Sequence, residues 1–198
     1  MNVRSVAYAV SACLLMAGVA APPSQAGAAP TPATGTTNDQ LVWQADPAAS
    51  QQSFAALAVW AACGVTTSST KIVRAFSRAA TAGVTPYTSS GTSNLACGTA
   101  ASWGYRHIVA NHLSQWEARA AVASESWRDT ADYGIEWALK DPDRVTYRSK
   151  NDTYCFSRKI NLVNKRTNQV VGAYYPNVVV ARGTKNIITA IPASSQCT

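Results

Sequence analysis

Two histidines and one arginine at close spacing are the residues of this chain best suited to chemistry. His107 and His112 are its only histidines, and Arg119 follows seven positions after His112. On a helix, at about 100° per residue, His112 and Arg119 share a face. An imidazole moves protons near neutral pH and a guanidinium stabilises phosphate charge, so the pattern favours phosphodiester chemistry. The alternative is a histidine that fills a helix-packing gap beside a solvated arginine.

Positive charge is concentrated in the last part of the chain. Residues 144–198 hold nine lysines and arginines and a single acid, Asp152. Such a surface gathers polyanions, of which RNA and DNA are the commonest. Basic secreted proteins also carry such charge for solubility or for adhesion to anionic cell envelopes, so charge alone leaves both interpretations open.

Before residue 142 the apolar residues recur at the spacing of a helix. The pattern predicts four helices, over about 46–64, 70–83, 105–122 and 127–139. Asp46-Pro47 is a favourable helix start, Gly83 ends the second helix, and Asp141-Pro142 ends the fourth. Glycines and hydroxyl residues over 84–104 predict a loop.

After Pro142 the apolar period changes to two, which indicates strands. The predicted strands cover about 145–147, 154–162, 169–174, 177–181 and 186–191. Turns are expected at 164–168 and 182–185. Helices followed by strands predict an α+β fold, with N-terminal helices packed on a C-terminal antiparallel β-meander.

The first 26 residues have the order of a secretory signal peptide. Arg4 precedes an apolar stretch over 5–21, and Ser24-Gln25-Ala26 is a small-x-small cleavage site. We therefore expect signal cleavage and secretion, with 27–38 as a flexible leader rich in Ala, Pro, Thr and Gly. No later apolar run reaches the ~20 residues of a membrane span, so we expect no stable membrane insertion.

Four cysteines remain beyond the signal: Cys63, Cys97, Cys155 and Cys197. An even number in an exported chain predicts two disulfides, and four cysteines allow three pairings. We favour Cys63–Cys97 and Cys155–Cys197, because each joins elements within one half of the chain. No Cys-x-x-Cys pair exists, and both histidines are far from any cysteine, so we expect no metal site and no cofactor.

The segment from Gly104 onward resembles a known toxin family. The resemblance is to the ribonuclease A-like C-terminal domains of bacterial contact-dependent inhibition toxins, and more loosely to the barnase and EndoU group of bacterial nucleases. In those toxin domains a Gly-His-x4-His segment opens the first active-site helix. An Arg follows on that helix, and a last strand carries Thr-x-Tyr-Pro. This chain has those positions in order, over about 103–192: Gly104, His107, His112, Arg119, Thr189 and Pro192. Ile191 stands where the family has an aromatic residue, and Arg119 is closer to His112 in sequence than the family's Arg is to its second histidine.

The resemblance implies a metal-independent ribonuclease that cleaves RNA by transphosphorylation. His112 and His107 would be its acid and base, with Arg119 and Thr189 as further catalytic groups. Arg158, Lys159 and Tyr154 would bind substrate. RNA would be the substrate, and a cognate immunity protein a possible partner.

The domain organisation that follows has a helical N-terminal segment over 39–98 and an α+β nuclease-like domain over 99–198. The alternative function is a non-enzymatic secreted basic protein that attaches to anionic cell-wall polymer or to a protein partner.

Overall fold

Eight strands and two α-helices form the part of the chain that the computed structural model describes, residues 41–46 and 60–198. The strands are β1 (Leu41–Gln44), β2 (Ile72–Arg78), β3 (Gly91–Ala96), β4 (Arg144–Arg148), β5 (Thr153–Ser157), β6 (Ile160–Asn164), β7 (Gln169–Ala181) and β8 (Ile187–Ala193). The helices are α1 (Gly104–Val122) and α2 (Trp127–Lys140), which lie between β3 and β4 in the chain. The signal and leader predicted over 1–38 lie outside the described residues.

The main sheet is antiparallel and is organised around the long strand β7. Strands β5 and β6, which are separated by Arg158 and Lys159, pair with successive parts of β7 in one register as far as Leu162, and a β-bulge shifts the register between Leu162 and Val163. Strand β4 pairs with β5, β1 pairs with β6, and β8 pairs with β7 on its other side. Strands β2 and β3 form a separate two-stranded sheet, which approaches β8 through a bridge between Asn94 and Asn186.

Both helices pack on one face of the main sheet, which we call the inner face. Their buried side chains share a core with Tyr154, Phe156 and Val178 of that face. Ile108, Trp116 and Ala120 form the buried stripe of α1, at the four-residue spacing of one helix face. In α2 the Ser126 hydroxyl accepts a hydrogen bond from the Asp129 amide, which is a helix N-cap.

The helices predicted over 105–122 and 127–139 are confirmed, and so are the strands after residue 142. The two strands predicted over 169–174 and 177–181 are one continuous strand, β7. The fold is α+β and rich in antiparallel sheet.

The helix predicted over 70–83 is wrong, since that segment forms β2. A β-bulge between Ile72 and Arg74 shifts the alternation by one residue. Val73 and Phe76 are therefore both buried at a spacing of three, which imitates a helical period. The loop predicted over 84–104 is also wrong in part, since the segment contains β3, whose Gly, Thr, Ser and Asn residues are typical of loops.

The segment 39–98, predicted to be helical, contributes three strands and no helix within its described residues. Residues 60–64 are not helical, and the remainder of the helix predicted from residue 46, residues 47–59, lies outside the described residues. Trp43 of β1 and Phe76 of β2 share the core of α1 and α2. The boundary expected near residue 98 therefore does not separate two cores.

Both predicted disulfides are confirmed. Cys63 bonds to Cys97 and Cys155 bonds to Cys197. Disulfides persist in oxidising compartments, so the pairings indicate an extracellular or otherwise oxidising location. Among the described helices, neither has the length and apolar character required to cross a membrane.

Candidate functional site

The start of α1 is held rigidly against β3. Gly98 and Gly104 both have positive φ, and a Cβ on Gly104 would lie 2.6 Å from the Ala96 carbonyl oxygen. The Arg106 amide donates to the Cys97 carbonyl at 3.0 Å, and the Cys63–Cys97 disulfide ties the same point to the preceding loop. The first turn of α1 therefore has a defined position before either histidine is reached.

His107 and His112 lie next to each other on α1. Their ring centroids are 5.7 Å apart and the rings meet edge to face at 71°. His107 Nδ1 is 3.1 Å from the Ala100 carbonyl oxygen and 3.1 Å from Asn111 Nδ2, so its tautomer decides whether it donates or accepts there. Both histidines are half-buried, which leaves part of each ring open to solvent. The structure therefore brings the two predicted proton-transfer groups together.

The environment of His112 favours the neutral imidazole. His112 continues the stripe of Ile108 and Trp116, and partial burial lowers the pKa of its ring below the ordinary 6.5. The charge of His107 lowers that pKa further, while the hydrogen bond to Gln115 raises it. His112 Nδ1 is 3.1 Å from Gln115 Oε1, and an Nδ1–H that donates there leaves the lone pair on Nε2. His112 thus has the form of a base at neutral pH.

Arg119 lies away from the histidine pair. Seven helical residues separate it from His112, which is ~10 Å along the helix axis. Its guanidinium carbon lies 5.9 Å from the ring centroid of Tyr174, and its carbonyl oxygen accepts a hydrogen bond from Trp43 Nε1. The arginine therefore stacks on an aromatic cluster rather than beside the imidazoles.

Thr189 lies on the opposite face of the sheet from α1. It pairs with Val179, and paired residues of an antiparallel sheet point to the same face. Val179 packs with Cys155 and Cys197, whereas its neighbours Val178 and Val180 pack in the core under the helices. The predicted convergence of Thr189 with His112 and Arg119 is therefore wrong, because side chains alternate along β8 and Thr189 points outward.

The three predicted substrate-binding residues are also dispersed. Arg158 lies 5.3 Å from the Trp137 ring centroid and forms an ion pair with Asp141, the residue directly after α2, which neutralises its charge. Lys159 is exposed. Tyr154 is 1% exposed, and its hydroxyl donates to the Pro86 carbonyl at 2.5 Å. Tyr154 is therefore a core residue, and burial removes it from the candidate site.

Sequence reasoning did not find one unusual acid, Glu125, in the connection between α1 and α2. Burial is the main cause that raises the pKa of its carboxyl to about 7, with a smaller contribution from the charge of Asp129. The Thr130 hydroxyl donates to Glu125 Oε2 at 2.8 Å. The sequence around Glu125 does not indicate that this residue is partly buried. Its environment depends on the packing of elements that are distant in the chain.

The described residues contain no group of three or more His, Cys, Asp and Glu side chains that could hold a metal ion. The chemistry available at the histidine pair itself is proton transfer by two imidazoles.

Comparison with known proteins finds similarity to curated mycobacterial proteins. Uncharacterized protein MT0764 and uncharacterized protein Rv0739, from two strains of Mycobacterium tuberculosis, are each 33% identical to this chain over 141 residues. The match covers 69% of this chain and 50% of each relative. The chain thus spans about half the length of the curated relatives it matches. No family model matches the chain. No solved structure matches it either.

Proposed function

We propose that the protein is a secreted, metal-independent ribonuclease whose acid and base are His107 and His112. The observation that carries the proposal is the pair of adjacent, half-buried imidazoles on α1, with ring centroids 5.7 Å apart. One imidazole of lowered pKa and a second beside it supply the two proton transfers that transphosphorylation requires.

In the proposed reaction His112 Nε2 takes the proton from a ribose 2′-hydroxyl. The 2′-oxygen attacks the adjacent phosphorus, the bond to the 5′-oxygen breaks, and a protonated His107 gives its proton to that oxygen. The products are a 2′,3′-cyclic phosphate and a free 5′-hydroxyl. Thr189 and Tyr154 have no part in this reaction, because one is on the outer face of the sheet and the other is in the core.

Secretion through the 1–26 signal and a toxin role belong to the same proposal. The two disulfides support an oxidising destination. A secreted ribonuclease that acts inside competing cells would require a cognate immunity protein in the producer. Co-purification from the producing cells tests that part: a stoichiometric small partner that blocks RNA cleavage is the expected result.

The first experiment incubates the pure oxidised protein with total RNA in the presence of EDTA. We expect the RNA to be degraded and single-stranded DNA of matched sequence to stay intact, because DNA lacks the 2′-hydroxyl nucleophile. Equal cleavage of both polymers, or loss of activity in EDTA, contradicts the mechanism.

Variants then test the histidine pair. His112→Ala should lower the cleavage rate by roughly 10²–10⁴-fold. Glu117→Ala, at an exposed position of the same helix, is the matched control and should keep the wild-type rate. Circular dichroism checks that each variant is folded. A folded His112→Ala variant with full activity would return His112 to a packing role.

The second candidate function is attachment to an anionic cell-wall polymer without catalysis. The dispersal of Arg119, Thr189 and Tyr154 away from the histidine pair favours it, since the basic strands would then act by charge alone. Under this function RNA stays intact in the first experiment, and the protein is retained on anionic polymer in a salt-dependent manner.

A further inference from the structure

The face of the main sheet turned away from α1 and α2, which we call the outer face, has an unusual composition. Its central row runs across four strands through Thr146, Cys155, Val179 and Thr189, which are paired in register. This is the face that Thr189 reaches instead of the histidine pair.

Polar atoms without partners are concentrated on the outer face. Among the described residues, eight buried side-chain nitrogen or oxygen atoms have no hydrogen-bond partner, and five of them belong to this face. Those five belong to Thr146, Thr153, Ser157, Asn177 and Thr189. Ser157 is 0% exposed and Thr153 is 6% exposed. Buried polar groups in folded proteins normally have partners, so these five side chains are hydrogen-bonding groups that the protein itself does not use.

The C-terminal residues 194–198 lie on the same face, and we call them the strap. Cys197 bonds to Cys155 in the central row, and the Asn177 side-chain amide donates to the Ser195 carbonyl at 3.1 Å. Cys197 is 1% exposed because it packs with Val179. Besides the peptide bond that continues the chain from β8, the Cys155–Cys197 disulfide is the covalent link that holds the strap on the outer face.

The outer face also carries positive charge. Arg144 pairs with Ser157 and Arg148 pairs with Thr153, so both arginines point to the same side as the orphaned hydroxyls. Arginine guanidinium groups together with Ser, Thr and Asn side chains are the groups that proteins use to bind nucleic-acid phosphates and sugars. Tyr175 precedes Asn177 by two residues on β7, so its half-buried ring lies on the same face. An aromatic ring beside basic and hydroxyl side chains is a surface on which a base of single-stranded RNA stacks, so the chemistry of the patch fits a single RNA strand.

We propose that the outer face binds a single-stranded RNA chain, and that the strap closes this face until the Cys155–Cys197 disulfide is reduced. The proposal rests on the proposed function, which supplies RNA as the ligand. Bound RNA would pair its phosphate and ribose oxygens with the hydroxyls of Thr146, Thr153 and Thr189. Binding on this face holds the chain and does no chemistry, since both histidines are on α1.

The opening step requires a dithiol reductant. One of its thiolates attacks a sulfur of the disulfide, and the second thiol then resolves the mixed disulfide. The dithiol loses two electrons and two protons and becomes a cyclic disulfide, while Cys155 and Cys197 become thiols. A target cytosol supplies such reductants, whereas an oxidising exterior does not.

The test compares full-length wild-type protein with Cys197→Ala, which frees the strap and leaves the sheet residues unchanged. The probe is a fluorescent 12-nucleotide strand of 2′-O-methyl RNA, which lacks the nucleophile for cleavage, and anisotropy measures its dissociation constant. We expect Cys197→Ala to bind the probe about 10-fold more tightly than oxidised wild type. Wild type treated with dithiothreitol should show the same gain in affinity. This measurement tests the proposal even if the Cys197→Ala variant folds poorly. A Cys63→Ala/Cys97→Ala double variant should show no gain.

Charge variants locate the binding face. In the Cys197→Ala background, the double variant Arg144→Ala/Arg148→Ala should abolish the gain in affinity for the probe. The slope of log Kd against log salt concentration should also fall by about 1.4, because two phosphate contacts are lost. Lys165→Ala/Arg166→Ala removes the same charge from the β6–β7 turn and should have the smaller effect. Equal effects of the two pairs, or equal binding by open and closed forms, would overturn the proposal.

Failure of this inference and failure of the proposed function give different results. If wild type cleaves natural RNA and the open form binds the probe no more tightly, the ribonuclease stands and the outer face is not its binding face. If the open form binds tightly and no form cleaves RNA, the binding face stands without the ribonuclease.

Discussion

The half-buried carboxyl of Glu125 makes the stability of the fold depend on pH. Its side chain is half-buried in the connection between α1 and α2, and burial is the main reason that its pKa is raised from 4.5 to about 7. The folded protein therefore holds this proton more tightly than the unfolded chain does. The resulting stability is fully present below pH ~4.5 and is lost as the pH rises through ~7.

The magnitude follows from the two proton affinities. A tenfold difference in proton affinity is worth ~1.4 kcal/mol, and partial solvation of the half-buried group screens the effect. We therefore expect wild type to lose ~2 kcal/mol of unfolding free energy from this group between pH 4.5 and pH 8. Glu125→Gln has no proton to lose, and its amide oxygen can still accept the hydrogen bond of the Thr130 hydroxyl.

Urea unfolding of wild type and Glu125→Gln at pH 4.5, 6 and 8 tests this reasoning. The two proteins should be nearly equally stable at pH 4.5, and the variant should be ~2 kcal/mol more stable at pH 8. Glu117→Gln, at an exposed position on α1, controls for the loss of one negative charge. A stability difference that does not change with pH, or one that favours wild type at pH 8, would refute the assignment of a buried, protonated carboxyl.

Three further predictions concern packing and covalent links. Removing the Cys63–Cys97 disulfide, which closes 34 residues, should lower the unfolding free energy by ~4 kcal/mol, as measured by urea denaturation of the double alanine variant. Thr153→Val replaces a buried hydroxyl without a partner by a methyl group of the same shape, and should raise thermal stability by about 1 kcal/mol; a loss would mean that the hydroxyl has a partner. Gly134→Ala should cost ~1–3 kcal/mol, because its Cβ would lie 2.9 Å from Tyr174 Oη in a packed core; a melting temperature equal to wild type would contradict this.

The wrong helix predicted at β2 has a long-range cause. Helical and strand periods are local signals, and they identified α1, α2 and the strands after residue 142 because those elements follow one period without interruption. In β2 a single bulge moved the buried positions to a spacing of three, which the sequence does not distinguish from a helix. Whether a bulge occurs depends on pairing with β3, which is a long-range contact.

The candidate site shows the same division between local and long-range information. Five residues at ~100° each place His107 and His112 ~140° apart around the helix, so the contact between their rings is known only from the structure. Their place on one helix could be predicted from local periodicity. The position of Thr189 could not, because the face it occupies depends on the register of β8 with β7 and on the bulge beside Val179. A shift of register by one residue reverses every side chain of a strand.

The sequence by itself determined the α+β composition, the two helices, the strands after residue 142, the favoured disulfide pairing and the place of both histidines on one helix. These depend on periodicity, cysteine number and helix geometry, which are properties of short segments. The tertiary structure decided that Tyr154 is buried, that Arg119 stacks on Tyr174, and that Thr189 joins Ser157 and Asn177 on the outer face. Each of those outcomes depends on which strand lies beside which, and pairing between distant segments is set by the packing of the whole core.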